Sequence, residues 1–397
     1  MSDKKAHSRT MFAPVRIKFI SILLLIFFYG CSESKDRDNE RNPATKSDTV
    51  APTTQKEIEN PPFDSSLSIA LSKLIDESNF SGVVTVMGKD GKKYTSSYGY
   101  SNFEKEIKND ESSIFQLASL TKIFTAAAIY DLEKKGKLKF SDHFTKHLKS
   151  ALPYKTVQIK HLLNHTSGIP DYFTLAEKNY KGAGGPDNKQ IFGLYNSNPV
   201  PLNFEPGKSY EYSNINYIIL SSIVADVSGV SFEKYLRESI SAPFFPASVF
   251  AREELLDSTK QVAIAYSSVG TKYSRIPPGA TRLLEKRKGS GGLHISASDL
   301  NAWLTNLFFT NDFYTKVIKD AELKKKLGSK NYILGWYTGS LERAEYLYCY
   351  GKNPGMNSYC AYIPSLEIIV TILSNNEINS QKTGDKFVST IISESKR

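Results

Sequence analysis

From Phe63 onward, the period of the apolar positions changes along the chain and marks out the elements. Leu67, Ala70, Leu71, Leu74 and Ile75 recur at helical spacing, which predicts an amphipathic helix. Gly82–Met87 and Lys93–Tyr98 read as two strands joined at Asp90-Gly91, a hairpin. The middle of the chain is richer in helical patterns and long loops. Strand patterns return at Glu345–Tyr350, Ser358–Ile363 and Glu367–Leu373, and a last helix is expected to start near Asp385. Strands at both ends with helices between predict the α/β class, of the α+β kind: one antiparallel sheet assembled from both termini, flanked by the terminal helices, with a helical subdomain inserted. A cleft is expected where sheet meets insert.

Ahead of this region the pattern is different. Lys4, Lys5, Arg9, Arg16 and Lys18 precede an apolar run from Phe19 to Tyr29, followed by Gly30-Cys31. That order is the n-region, h-region and cleavage site of an exported chain. The run is shorter than the ~20 apolar residues of a full span, and an uncleaved signal anchor is the other reading of it. A Cys directly after a small residue resembles a bacterial lipobox, with Cys31 acylated as the mature N-terminus, although Phe28 and Tyr29 are bulkier than the usual pattern. Ser32 to Pro62 has almost no large apolar residue, so it cannot collapse onto a core and reads as a flexible tether. The expected organisation is therefore a signal peptide over 1–30, a tether over 31–62 and one catalytic domain over 63–397.

With 397 residues and 40% hydrophobic content, the chain can bury a sizeable core. The formal charge is +10, and the basic N-terminus, with Asp3 set against it, carries +4 of this. The remaining charge is mixed in sign, with no Lys/Arg tract and no aromatic-interleaved basic stripe, which speaks against a nucleic-acid partner. The expected partners are a membrane, through the N-terminal lipid, and a small-molecule or peptide substrate.

Chemistry concentrates at Ser119-Leu-Thr-Lys122, where an extended run turns into a helix that stops at Gly136. Lys122 lies one turn after Ser119, so its amine can reach the hydroxyl, while free helix N–H groups favour a developing anion. Ser-x-x-Lys alone carries little information, since it also occurs at Ser2, Ser32, Ser231 and Ser393. Its companion is Tyr212-Ser-Asn214, where a phenol and an amide two apart in a turn can enter one cleft. Next to the Lys122 ammonium, a buried phenol is expected to have a lowered pKa and to shuttle the serine proton.

Ser119-x-x-Lys122, Tyr212-Ser-Asn214 and a late strand ending in Gly351 resemble the three active-site motifs of the serine beta-lactamase and penicillin-binding-protein superfamily. The resemblance extends to Leu162-Leu-Asn-His165-Thr-Ser-Gly-Ile-Pro-Asp171, Pro206-Gly207 and Gly291-Gly-Leu-His-Ile-Ser-Ala-Ser-Asp-Leu300. These segments look like the class C branch, with its esterases and D-aminopeptidases. The resemblance implies Ser119 as nucleophile, Lys122 and Tyr212 as proton carriers, and Asn214 as holder of the substrate amide. It also implies an oxyanion hole from the backbone N–H groups of Ser119 and Lys352, an acyl-enzyme released by water, and no cofactor or metal.

One departure stands out. Where such proteins have Lys-Thr-Gly or His-x-Gly, this chain reads Cys349-Tyr350-Gly351. The missing cation argues against efficient penicillin hydrolysis and favours substrates without a carboxylate, unless a Lys, Arg or His such as Lys352 replaces it from nearby. Cys349 and Cys360 flank the Asn353–Met356 turn symmetrically, so a simple hairpin sets them opposite one another, and a disulfide is one expectation. Two small core residues facing apart is the other. The i,i+4 pairs His143/His147 and His161/His165 lack the Glu of His-Glu-x-x-His and read as structural; His165-Thr-Ser-Gly168 looks like a helix end turning into a loop.

Overall fold

A seven-stranded antiparallel sheet receives strands from both ends of the chain. The computed structural model describes residues 65–397 apart from 77–78, 183, 241–254, 256–259, 270–271, 278, 329–330 and 397; the segments read as signal peptide, lipidated Cys31 and tether lie outside the described residues. The sheet strands are β1 (Gly82–Gly88), β2 (Lys93–Tyr98), β3 (Tyr332–Ile333), β4 (Trp336–Leu341), β5 (Ala344–Asn353), β6 (Met356–Ile363) and β7 (Ile368–Ser374), in the spatial order β2-β1-β7-β6-β5-β4-β3. The first hairpin thus docks on the last strand, with Val84 opposite Ile372.

Both sheet faces are buried, which is why β6 and β7 read as near-continuous apolar runs. On β7, Ile368, Val370 and Ile372 point into one apolar cluster and Ile369 and Leu373 into the other, as the two-residue period of a strand requires. The first cluster is closed by α1 (Ser65–Asp76), through Leu67, Leu71 and Ile75, and by α5 (Ser380–Glu394), through Phe387, Val388, Ile391 and Ile392. The second is closed by the inserted helices, among them α2 (Thr121–Lys134), α3 (Asn214–Ser228) and α4 (Ala297–Thr305). Phe124 of α2 stacks on Trp303 of α4 with centroids 4.2 Å apart.

The expected α+β layering is therefore observed, with two local corrections. The last helix starts at Ser380 rather than near Asp385, because the Asn379 side chain accepts from Lys382 N at 3.0 Å and caps the first turn. The second correction concerns the cysteines. Cys349 of β5 does face Cys360 of β6 across the ladder, yet both are buried free thiols and no disulfide joins them. Side chains directly opposite in an antiparallel pair stand roughly parallel, with Cβ atoms ~4.5–5.5 Å apart, wider than the ~3.5–4.5 Å a disulfide accepts. Burial also pushes the Cys349 thiol up to about 12 and raises that of Cys360, so neither supplies the thiolate that begins oxidation. Alkylation of denatured, unreduced protein followed by peptide mapping is expected to label both Cys349 and Cys360.

Candidate active site

The chain enters the site along Ile114–Gln116, which pairs with His294–Ser296 so that Phe115 faces Ile295. Leu117 is then held at both ends: its N–H donates to Leu293 O at 2.9 Å, and its carbonyl accepts from Ser358 Oγ of β6 at 2.7 Å. Between these anchors and the helix, Ala118 is forced to φ +47°. A non-glycine residue in that region costs about 1–3 kcal/mol and persists only where its surroundings over-determine it. The result is a sharp corner that sets Ser119 one residue ahead of Leu120 and α2.

Lys122, on the first turn of α2, is almost fully buried. Its Nζ lies 3.0 Å from Ser119 Oγ, 3.0 Å from Asn214 Oδ1 and 2.8 Å from the Ser290 carbonyl. Burial, reinforced by the Arg287 charge, lowers its pKa well below the ordinary 10.5. All three oxygens are placed to accept from the amine; in the neutral form two N–H donors can serve Asn214 and Ser290 while the lone pair faces Ser119 Oγ.

Tyr212 completes the group by donating its O–H to Ser119 Oγ at 2.9 Å. Here the expectation of a lowered phenol pKa is corrected. Burial raises the Tyr212 pKa above its usual 10, although the Ser119 hydrogen bond opposes the shift. With the amine itself pushed toward neutrality, less positive charge stands beside Tyr212 to stabilise a phenolate. Burial thus favours the neutral form of both groups, an amine at Lys122 and a phenol at Tyr212.

Asn214 opens α3 and has both ends of its amide engaged. Its Oδ1 accepts from Lys122, while its Nδ2 and its backbone N–H donate to Asp171 Oδ2 at 2.8 and 3.0 Å. An ionised carboxylate only accepts, so Asp171 fixes which way the amide points. His165, at φ +56° and fully buried, accepts through Nδ1 from Ser213 N at 3.2 Å, and its ring lies 4.4 Å from that of Tyr212. It supports the tyrosine turn from beneath, and His161 closes a capping box with Gln158, so both have the structural roles expected of them. Asp171 ended a segment already singled out in the sequence. Ser290 gave no side-chain signal because it contributes a carbonyl, and Arg287 lay just outside the quoted Gly291–Leu300 run.

β5 forms the opposite wall. Its residues 344–348 pair with β4, whereas Cys349–Asn353 pair only with β6. Gly351 lies on this stretch, and a Cβ there would come within 2.3 Å of Leu117 O and 2.8 Å of Ser119 N. Only glycine lets the strand approach the nucleophile this closely. The Lys352 side chain is exposed at the rim of a cleft of about 560 Å³ that is also lined by Ser119, Tyr212, Asn214, Arg287 and Asn353.

A serine held between a buried amine and a buried phenol, at a helix start and beside a strand edge, defines a serine hydrolase that acts through an acyl-enzyme. Comparison with known proteins agrees: a family model described as Beta-lactamase matches residues 70–388, and the chain belongs to that family. It is 34% identical over 177 residues to penicillin-binding protein 4* of Bacillus subtilis, spanning 45% of this chain and 39% of that protein. It is 26% identical over 302 residues to the teichoic acid D-alanine hydrolase of Staphylococcus aureus, spanning 76% and 72%. The crystal structure of a penicillin binding protein from Bacillus halodurans superimposes with a TM-score of 0.67 at 25% identity, covering 82% of this chain and 98% of that one.

Two outcomes test the site. Because turnover needs neutral Lys122 and protonated Tyr212, kcat/KM is expected to rise with pH along a limb set well below 10.5 and to show no alkaline loss from Tyr212 before pH 10; a pH profile on an acyl ester reads both. Gly351→Ala is expected to abolish phosphonylation of Ser119 by a fluorophosphonate, seen by intact mass, while circular dichroism shows the fold retained.

Proposed function

We propose that this chain hydrolyses an ester or amide bond of a D-amino-acid-bearing substrate in the bacterial cell envelope. The observation that carries the reading is the contact of both Lys122 Nζ and Tyr212 OH with one serine oxygen. Ser119 Oγ attacks the substrate carbonyl carbon as its proton passes to Lys122. The oxyanion is received by the backbone N–H groups of Ser119 and Lys352. Collapse expels the leaving group, which takes a proton from Tyr212, and Lys122 reprotonates the phenol. Water then attacks the acyl-enzyme with the same groups acting in reverse, returning the proton to Ser119.

The relatives' names support the substrate class: one is a teichoic acid D-alanine hydrolase and another a penicillin-binding protein. Cell-envelope placement rests on these and on the basic, apolar, Gly30-Cys31 order of the N-terminus, with Cys31 as lipid anchor and residues 31–62 as tether to the catalytic domain over 63–397. A carboxylesterase is the second reading, favoured by the buried, protonated Cys349 in the position where a cation is usual.

Intact mass after a fluorophosphonate and, separately, a penicillin tests the reading on the wild-type chain and on Ser119→Ala. Labelling is expected in the wild type and absent in the mutant. A fluorophosphonate adduct alone points to the esterase or D-amino-acid hydrolase, and a persistent penicillin adduct to a DD-peptidase. No adduct from either reagent overturns catalysis in favour of a silent envelope-binding protein.

A further inference from the structure

Arg287 sits at the floor of the cleft with a guanidinium that the protein itself leaves underused. The residue is 3% exposed and lines the same cleft as Ser119, Tyr212 and Asn214. Its two hydrogen bonds are long and go to neutral groups: Nη1 donates to Tyr172 OH at 3.5 Å, and Nη2 to Asn353 Oδ1 at 3.4 Å. Good N–H···O bonds fall near ~2.7–3.2 Å. Its Nε is buried and has no hydrogen-bond partner. Among the described residues, no carboxylate forms an ion pair with Arg287. The face of Phe173 lies 5.8 Å from Cζ, a weak substitute for an anion.

A buried charge without a counter-ion is costly, so its persistence here needs a reason. The surrounding backbone is shaped for this side chain. A Cβ on Gly291 would come within 2.8 Å of Nε, and one on Gly292 within 2.5 Å of the Arg287 carbonyl. Gly291 thus leaves the space that the guanidinium fills, and Gly292 the space for the Arg287 backbone. Asn353 is held in turn by donating Nδ2 to Gln116 Oε1 at 2.6 Å, which ties Arg287 to the strand that carries Gly351. The usual third-motif cation is replaced by the thiol of Cys349, which burial keeps neutral. Lys352, the sequence-level candidate to replace it, turns its side chain to solvent.

We propose that Arg287 is the anion-binding residue of this active site, and that the substrate carries a carboxylate or phosphate group placed to meet it. The inference builds on the hydrolase reading, but it concerns binding and can be tested without turnover. A planar guanidinium offers parallel N–H donors to a carboxylate or phosphate, giving charge-assisted bonds. The bound anion would also satisfy the free Nε or shorten the two long contacts.

The test is calorimetric titration of the full-length Ser119→Ala chain with acetylglycine, its uncharged amide and methyl phosphate. Acetylglycine or methyl phosphate is expected to bind about tenfold to hundredfold more tightly than the amide, and whichever binds identifies the anion. In Ser119→Ala/Arg287→Gln that difference should vanish, and in Ser119→Ala/Arg287→Lys part of it should return, with the amide's affinity changed little in either. Equal binding of all three probes to Ser119→Ala, a result that does not depend on any arginine variant folding, overturns the proposal. So does a charge preference that survives Arg287→Gln. Absence of the fluorophosphonate adduct described above strikes the hydrolase reading instead, so the two failures are distinguishable.

Discussion

The burial of the Lys122 amine is the constraint on which the rest of the site depends. An ammonium removed from water loses its hydration, and the positive charge of Arg287 disfavours it further. Desolvation therefore pushes the group toward its neutral form, the state in which a lysine can accept a proton. Burial alone would leave an unsatisfied polar group. Asn214 lies 92 residues away in sequence and the Ser290 carbonyl 168, and both meet the amine within hydrogen-bonding distance. Asp171 holds Asn214, His165 holds the turn before it, and Thr125 of the same helix bonds the Gly289 carbonyl at 2.8 Å. Much of the polar framework around the cleft thus orients the acceptors of one amine.

The sheet contributes through where its pairing stops. β5 is longer than its partner β4, so its second half keeps an unpaired edge, and Gly351 on that half lies against the corner at Ala118-Ser119. Ser358 of β6 anchors Leu117 by its hydrogen bond, and Gly351 of β5 leaves room for the backbone at Leu117 and Ser119. The strained Ala118 sits between these anchored neighbours. The sheet is in turn made rigid by apolar layers on both faces, so the geometry at the serine is inherited from the core.

The electrostatics of the cleft depart from the pattern that the motifs imply. A neutral thiol stands at Cys349, the Lys352 side chain is exposed, and a buried positive charge lines the cleft at Arg287. That relocation is consistent with an active site in which proton transfer and anion recognition are assigned to separate side chains. It also explains why Lys122 can lose its proton: a permanent cation nearby disfavours a second one.

The amino-acid sequence by itself determined the layering, because a change from period 3.6 to period 2 is written in the order of apolar residues. It also located Ser119, Lys122, Tyr212 and Asn214, since a helical turn and a two-residue spacing are local geometry. The start of the last helix was missed because the Asn379 cap outweighed the apolar pattern. The protonation state of Tyr212 was misread because spacing shows proximity and says nothing of desolvation. Whether Cys349 and Cys360 bond, which carbonyl receives the Lys122 amine, and what Arg287 faces were decided only by the tertiary structure. Each depends on how far segments distant in sequence exclude water and on the separations between their side chains, and neither quantity is encoded in any local run of residues.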